Sequence, residues 1–174
     1  TNQEYAIKVI SKKLLNSKGE VTINRLKNEL KIQKSLNHPN IVKSKVSFSD
    51  DFNYYIVLEN CPGKSVREFL RSNNEHGYLS EPQTRKILRD VIKGLAYLHS
   101  NNIIHHDIKL ENFLIGSNGV VKIADFGLST ILNKDDQKQF NICGTINYIS
   151  PEILKRKNHS FEVDIWAMGV AAFT

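Results

Sequence analysis

The chain has 174 residues, 40% of them apolar, and a formal charge of +6, which fits one soluble domain with a real core and makes two domains crowded. No apolar run approaches the ~20 residues of a membrane span and the opening TNQEYAIKVI lacks a signal-peptide core, so an intracellular place in cytoplasm or nucleus is expected. Two cysteines, Cys61 and Cys143, are too few for a disulfide framework and have no zinc-ligand spacing, and the positive charge is spread too evenly to mark a nucleic-acid face.

Residues 5–10, YAIKVI, set aromatic and β-branched side chains around one lysine and predict a strand. Residues 24–36 carry Leu26, Leu30, Ile32 and Leu36 among charged residues and stop before Pro39, the pattern of an amphipathic helix that contains Glu29. Residues 41–48 and 53–58 predict two strands joined by the polar turn at 49–51. Strand, helix, strand, strand describes a small α+β lobe over residues 1–59.

Past Asn60, Cys61, Pro62 and Gly63 the pattern becomes helical, and residues 60–174 are expected to form a second, mainly helical lobe. Residues 65–72 predict a short helix. Residues 80–100 predict a longer one, with Ser80 and Gln83 at capping-box positions and Ile87, Leu88, Val91, Ile92, Leu95 and Leu98 on one apolar face. Short apolar pieces at 103–104, 113–115 and 120–123 flank the turn at 116–119, which makes a hairpin out of the last two. A final apolar helix begins near Asp164.

The densest chemical signal is HHDIKLEN at 105–112 followed by DFG at 125–127. An aspartate, an asparagine five residues on and a second aspartate thirteen beyond that are the groups needed to orient a hydroxyl and hold magnesium on a nucleoside triphosphate. His99, His105 and His106 lack a carboxylate or cysteine to complete a zinc set, so zinc is rejected.

AIK at 6–8, the helix with Glu29, HHDIKLEN, ADFG, CGT at 143–145 and SPE at 150–152, in this order, resemble a eukaryotic protein kinase of the serine/threonine type over nearly the whole chain. CGTINYISPEIL and HSFEVDIW look closest to polo-like kinases. The resemblance implies a two-lobed α+β fold, with ATP and Mg2+ as cofactors and serine or threonine in proteins as acceptor.

It also implies roles. Lys8 would meet the α and β phosphates with Glu29 holding it, while Ala6 and Leu114 would enclose the adenine ring. Leu58 would be the gatekeeper, and the backbones of Glu59 and Cys61 would hydrogen-bond adenine. Asp107 would be the catalytic base, Lys109 would neutralise the transferring phosphoryl group, and Thr145 would contact both. Asn112 and Asp125 would ligate magnesium, and Asp164 would anchor the catalytic loop through its backbone.

The chain departs from the family pattern at several points. His106 replaces the arginine of HRD and Asn141 stands where polo-like kinases carry a phosphorylated threonine, so activity independent of modification there is expected. Ile146 replaces the proline usual after CGT, which removes any basis for carrying over a substrate preference. Gln33 and Ser44 occupy positions where apolar residues are common, through a polar contact or a loosened helix. The chain starts just before the lysine strand and stops inside the last helix, without a glycine-rich loop and with no arginine partner for Glu152. An incomplete domain of low stability, with little activity as an isolated segment, is therefore expected. The alternative function is a non-catalytic kinase-like module, a pseudokinase or scaffold, or an inactive fragment.

Overall fold

A computed structural model describes residues 3–73, 78–132 and 144–174. Strand β1 (Tyr5–Ser11) leads into a short helix α1 (Lys12–Ser17), whose first turn is capped by the Ser11 hydroxyl accepting from the Leu14 N–H. Helix α2 (Glu20–Ser35) follows, then strands β2 (Ser44–Ser49) and β3 (Asn53–Glu59). The three strands form an antiparallel sheet in the order β1-β3-β2, with Ala6 opposite Leu58 and Lys8 opposite Ile56. Leu15, Leu26 and Ile56 make a small separate core beneath it. At the turn between β2 and β3 the Asp50 carboxylate accepts from the N–H groups of Phe52 and Asn53.

Two boundaries in the smaller lobe differ most from the sequence reading. Helix α2 begins at Glu20, because Gly19 at φ 83° turns the chain out of α1 directly into it. Residues 41–48 are not one strand. Ile41 and Val42 leave the three-stranded sheet and pair instead with β6 (Val121–Ile123) of the larger lobe, Val42 N donating to Ile123 O at 2.9 Å and Ile123 N to Asn40 O at 2.9 Å. Apolar residues read alike whether they fill one sheet or pass to another.

In the larger lobe, helix α3 (Val66–Asn73) opens on a capping box: Ser65 N donates to Glu68 Oε2 at 3.0 Å and Glu68 N to Ser65 Oγ at 3.1 Å. Helix α4 (Glu81–Ser100) is central, with Gln83 Oε1 accepting from Ser80 N at 3.0 Å. Ile87, Val91, Leu95 and Leu98 face the main core, whereas Ile92 is 55% exposed. Ile92 sits on the flank of the stripe, about 100° of helix rotation past Val91. Strand β4 (Ile103–Ile104), the β5 (Phe113–Ile115) and β6 hairpin, and the two-residue strand β7 (Thr130–Ile131) carry the loops of interest. Helices α5 (Pro151–Leu154) and α6 (Glu162–Phe173) complete the described fold, α6 starting two residues before Asp164.

The lobes meet at Asn40. Its buried side chain donates to Val121 O at 2.9 Å, and its own carbonyl lies against α4 at Gly94, where a Cβ would stand 2.7 Å from Asn40 O and 3.1 Å from Ile123 Cδ1. A backbone oxygen cannot rotate aside as a flexible side-chain end does. Alanine at 94 would gain about 1 kcal/mol of helix propensity but force α4 off the crossover segment, a strain of ~1–3 kcal/mol. Gly94→Ala is therefore expected to lower the urea midpoint rather than raise it, and equilibrium unfolding measures the sign.

Candidate active site

Lys8 lies on β1 with its side chain reaching toward α2 and the loop after β6. Its Nζ is 2.6 Å from Glu29 Oε1 and 3.3 Å from Asp125 Oδ1. Burial works against the ammonium, but the Glu29 carboxylate, with Asp125 behind it, outweighs that and holds the amine protonated above its ordinary range. Burial likewise opposes the Asp125 carboxylate, and Lys8 with the Gly127 N–H brings its pKa below the usual carboxylate range. Glu29 is almost wholly buried, so α2 is docked with its acid inward even though Gln33, one turn further on, is buried too.

A second cluster gathers on the loop between β4 and β5. Asp107 Oδ1 accepts from the Thr145 hydroxyl at 2.7 Å, and Asp107 Oδ2 lies 2.7 Å from Lys109 Nζ. Lys109 Nζ also donates to Thr145 Oγ1 at 2.9 Å, which closes a triangle of three side chains. Asn112 Nδ2 donates to Asp107 O at 2.8 Å and Asp107 Oδ2 at 3.1 Å. Both amide hydrogens are thus committed, which assigns the amide orientation and leaves Oδ1 as its acceptor face. The β5–β6 hairpin sets Asn112 beside Asp125, since Ala124 N donates to Asn112 O at 2.9 Å.

The loop is held from below by Asp164 of α6, which is fully buried. Its Oδ2 accepts from His105 N and from His99 Nε2, each at 2.9 Å, and its Oδ1 accepts from His106 N at 2.9 Å. Burial alone would raise this carboxyl. The hydrogen bond from His99, together with His105, overrides it and holds the pKa below the normal range. His105 Nδ1 accepts from the Asp107 N–H, so its proton sits on Nε2 and points to Ala124 O. Burial pushes the pKa of His105 down and keeps it neutral.

His106 and Asp125 both have positive φ, 64° and 65°, a conformation uncommon outside glycine and found where the surroundings enforce it. The His106 ring is buried, 2.9 Å from Thr130 Oγ1 through Nε2 and edge-on to His159. Burial first, then the neighbouring His159 and His105, lower its pKa to about 4.

The remaining positions expected to line a nucleotide site lie on β1 and β3, at the junction after β3 and on β5. Ala6 faces Leu58 across β1 and β3, and Leu114 bridges to Ser65 from β5. Glu59 N already donates to Lys43 O at 3.0 Å, so only its carbonyl could meet a ligand. The Glu59 carboxylate accepts from Lys43 N at 2.6 Å and pairs with Lys122 of β6 at 3.1 Å. Cys61 is half-buried, and that burial, with Glu59 beside it, pushes the thiol up. Ile146 is 84% exposed beside Thr145. Asn141 and Cys143 lie outside the described residues.

A sequence reading has no means to pair His106 with Thr130 or His99 with Asp164. Nothing in their spacing marks them as partners, and in each case the contact is made by the fold. The oxygen donors do fit a hard cation. Asn112 Oδ1 and Asp125 Oδ2 have no donor among the described residues, and both are the ligand type magnesium prefers.

The family model described as protein kinase domain matches residues 1–174. The chain is 44% identical over 174 residues to serine/threonine-protein kinase PLK4 of Nematostella vectensis, covering all of this chain and 17% of that protein. It is 42% identical over 171 residues to the cell cycle serine/threonine-protein kinase CDC5/MSD2 of Saccharomyces cerevisiae, covering 97% of this chain and 24% of that one. Serine/threonine-protein kinase polo of Drosophila melanogaster is 42% identical over 174 residues, covering all of this chain and 29% of the relative. The chain thus spans less than a third of the length of these relatives.

The lowered pKa of His106 has a thermodynamic consequence. Its folded value of about 4 lies below the ordinary value of 6.5, so between these the unfolded chain binds more protons than the native one. Stability is complete above pH 6.5 and falls as pH drops toward 4, by up to about 3 kcal/mol from this group. Urea unfolding at pH 7 and pH 4.5 should show the loss, and His106→Asn should shrink the difference between the two.

Proposed function

The chain belongs to the protein kinase family, and on that premise we propose that it transfers the γ-phosphoryl group of ATP to serine or threonine in proteins. The observation that carries the reading is the Asp107, Lys109 and Thr145 triangle standing beside a formed Lys8–Glu29 pair. The names of the relatives, each a serine/threonine-protein kinase, support the acceptor class. An ATP-dependent reaction suits an intracellular protein.

Each residue has a distinct task. Lys8, fixed by Glu29, presents a full positive charge where phosphate oxygens would sit, and Asp125 lies within reach of the same site. Asn112 and Asp125 would hold Mg2+, which supplies charge neutralisation on the phosphates when bound. Asp107 accepts a hydroxyl hydrogen bond from Thr145 at 2.7 Å, which is the interaction an incoming serine or threonine hydroxyl needs for alignment and proton removal. Lys109 touches both Asp107 and Thr145, so its ammonium sits where charge on the transferring group would develop. Thr145 thus ties the acceptor side of the site to the base. Ala6, Leu58, Leu114 and the backbones at Glu59 and Cys61 would take the adenine.

Transfer of labelled phosphate from ATP with magnesium to a generic protein substrate tests this reading. The full-length protein that carries this chain is expected to catalyse transfer, and Asp107→Asn to lower the rate about 10²- to 10⁴-fold with nucleotide binding retained. A folded protein that binds ATP and transfers nothing would instead be a non-catalytic kinase-like module.

A further inference from the structure

His106 is the point where both described ends of the segment after Asp125 meet the catalytic loop. At the near end its Nε2 lies 2.9 Å from Thr130 Oγ1, and Thr130 is paired backbone to backbone with Ile104 in the β4–β7 ladder. At the far end, Gly144 at φ 109° packs so closely that a Cβ there would stand 2.9 Å from His106 O. The neighbouring bonds repeat the theme. Ser129 Oγ donates to His105 O at 3.2 Å, Leu132 N to Asn102 O at 2.8 Å, and Asn28 of α2 donates to Ser129 O at 2.7 Å.

The chemistry of the His106 contact is that of a neutral pair. The ring is buried, and with the proton on Nε2 only a lone pair is left at Nδ1, which has no partner among the described residues. An ammonium or guanidinium in such a place would need an anion to offset its desolvation. Imidazole and a threonine hydroxyl satisfy each other without one.

We propose that His106 and Thr130 are positioning residues whose hydrogen bond fastens the segment after Asp125 to the catalytic loop, so that Thr145 meets Asp107 without any phosphate on that segment. Its effect on turnover rests on the kinase reading above, while the bond itself does not. Because His106 adjoins Asp107 in the chain and both ends of the segment touch it, a ring freed from Thr130 would disturb the base and Thr145 together.

The test compares Thr130→Val, which keeps the shape and removes the hydroxyl, with Thr130→Ser, which keeps the hydroxyl. Thr130→Val is expected to lower kcat by roughly five- to thirtyfold, the factor for losing a bond of 1–2 kcal/mol, while KM for ATP stays unchanged. Hydrogen exchange at the Leu132 amide should accelerate in the same variant. Thr130→Ser should restore both, and phosphatase treatment of the parent should change neither. Wild-type kcat in Thr130→Val, or equal damage in both variants, would overturn the assignment. If the parent binds ATP but transfers nothing, the kinase reading fails, and Leu132 exchange still decides the matter: slow exchange in Thr130→Val would sink the proposal.

Discussion

The arrangement depends on one buried carboxylate. Asp164 has almost no contact with water and would be destabilising there as an isolated charge, by several kcal/mol. It is tolerated because its oxygens accept from two consecutive backbone N–H groups and from the His99 ring. Those two N–H groups belong to His105 and His106, so the same bonds that stabilise the acid dictate the backbone path immediately before Asp107. The left-handed conformation of His106 follows from that path, since both amides must point at one side chain. Helix α6 therefore acts on the chemistry from below without touching any reacting atom.

Charge and neutrality are divided with some economy across the site. The cationic groups Lys8 and Lys109 are each held by a carboxylate at 2.6–2.7 Å, at the edges of a cleft where phosphate charge would be met. The two histidines of the loop are kept neutral by burial and serve as hydrogen-bonding struts. A protonated imidazole between them would weaken the field that Asp107 and Asp125 present to a cation. The separation is thus electrostatic as well as steric.

The features legible in the sequence were those with local causes. YAIKVI and residues 53–58 announce strands through β-branched and aromatic content, and α4 through its apolar stripe and its Ser80–Gln83 cap. The spacing of Asp107, Asn112 and Asp125 is likewise local, set by one loop and one hairpin, and the structure brings them together. What was not legible depends on partners distant in the chain. Residues 41–42 look like strand but pair with β6, and Thr130 and Ile131 become strand only because β4 lies alongside. Helix α1 is six residues long, too short for periodicity to show. The expected helix at 65–72 is displaced by one residue to Val66–Asn73, because Ser65 serves as its cap through Glu68.

The crossover at Asn40 also sets how the two lobes can move. Ile41 and Val42 are bonded into β6 and travel with the larger lobe, while β2 begins at Ser44. The other covalent link leaves β3 at Glu59, and Glu59 is bonded to Lys43 through both its carboxylate and its N–H. The two links thus pass side by side at a single spot, stitched to each other and, through Lys122, to the hairpin. Away from that spot the lobes also touch through Asn28 on Ser129 O at 2.7 Å and Lys8 on Asp125 at 3.3 Å. A cleft that opened about Lys43 and Glu59 would therefore have to give up those two contacts, while the stitched links could stay whole.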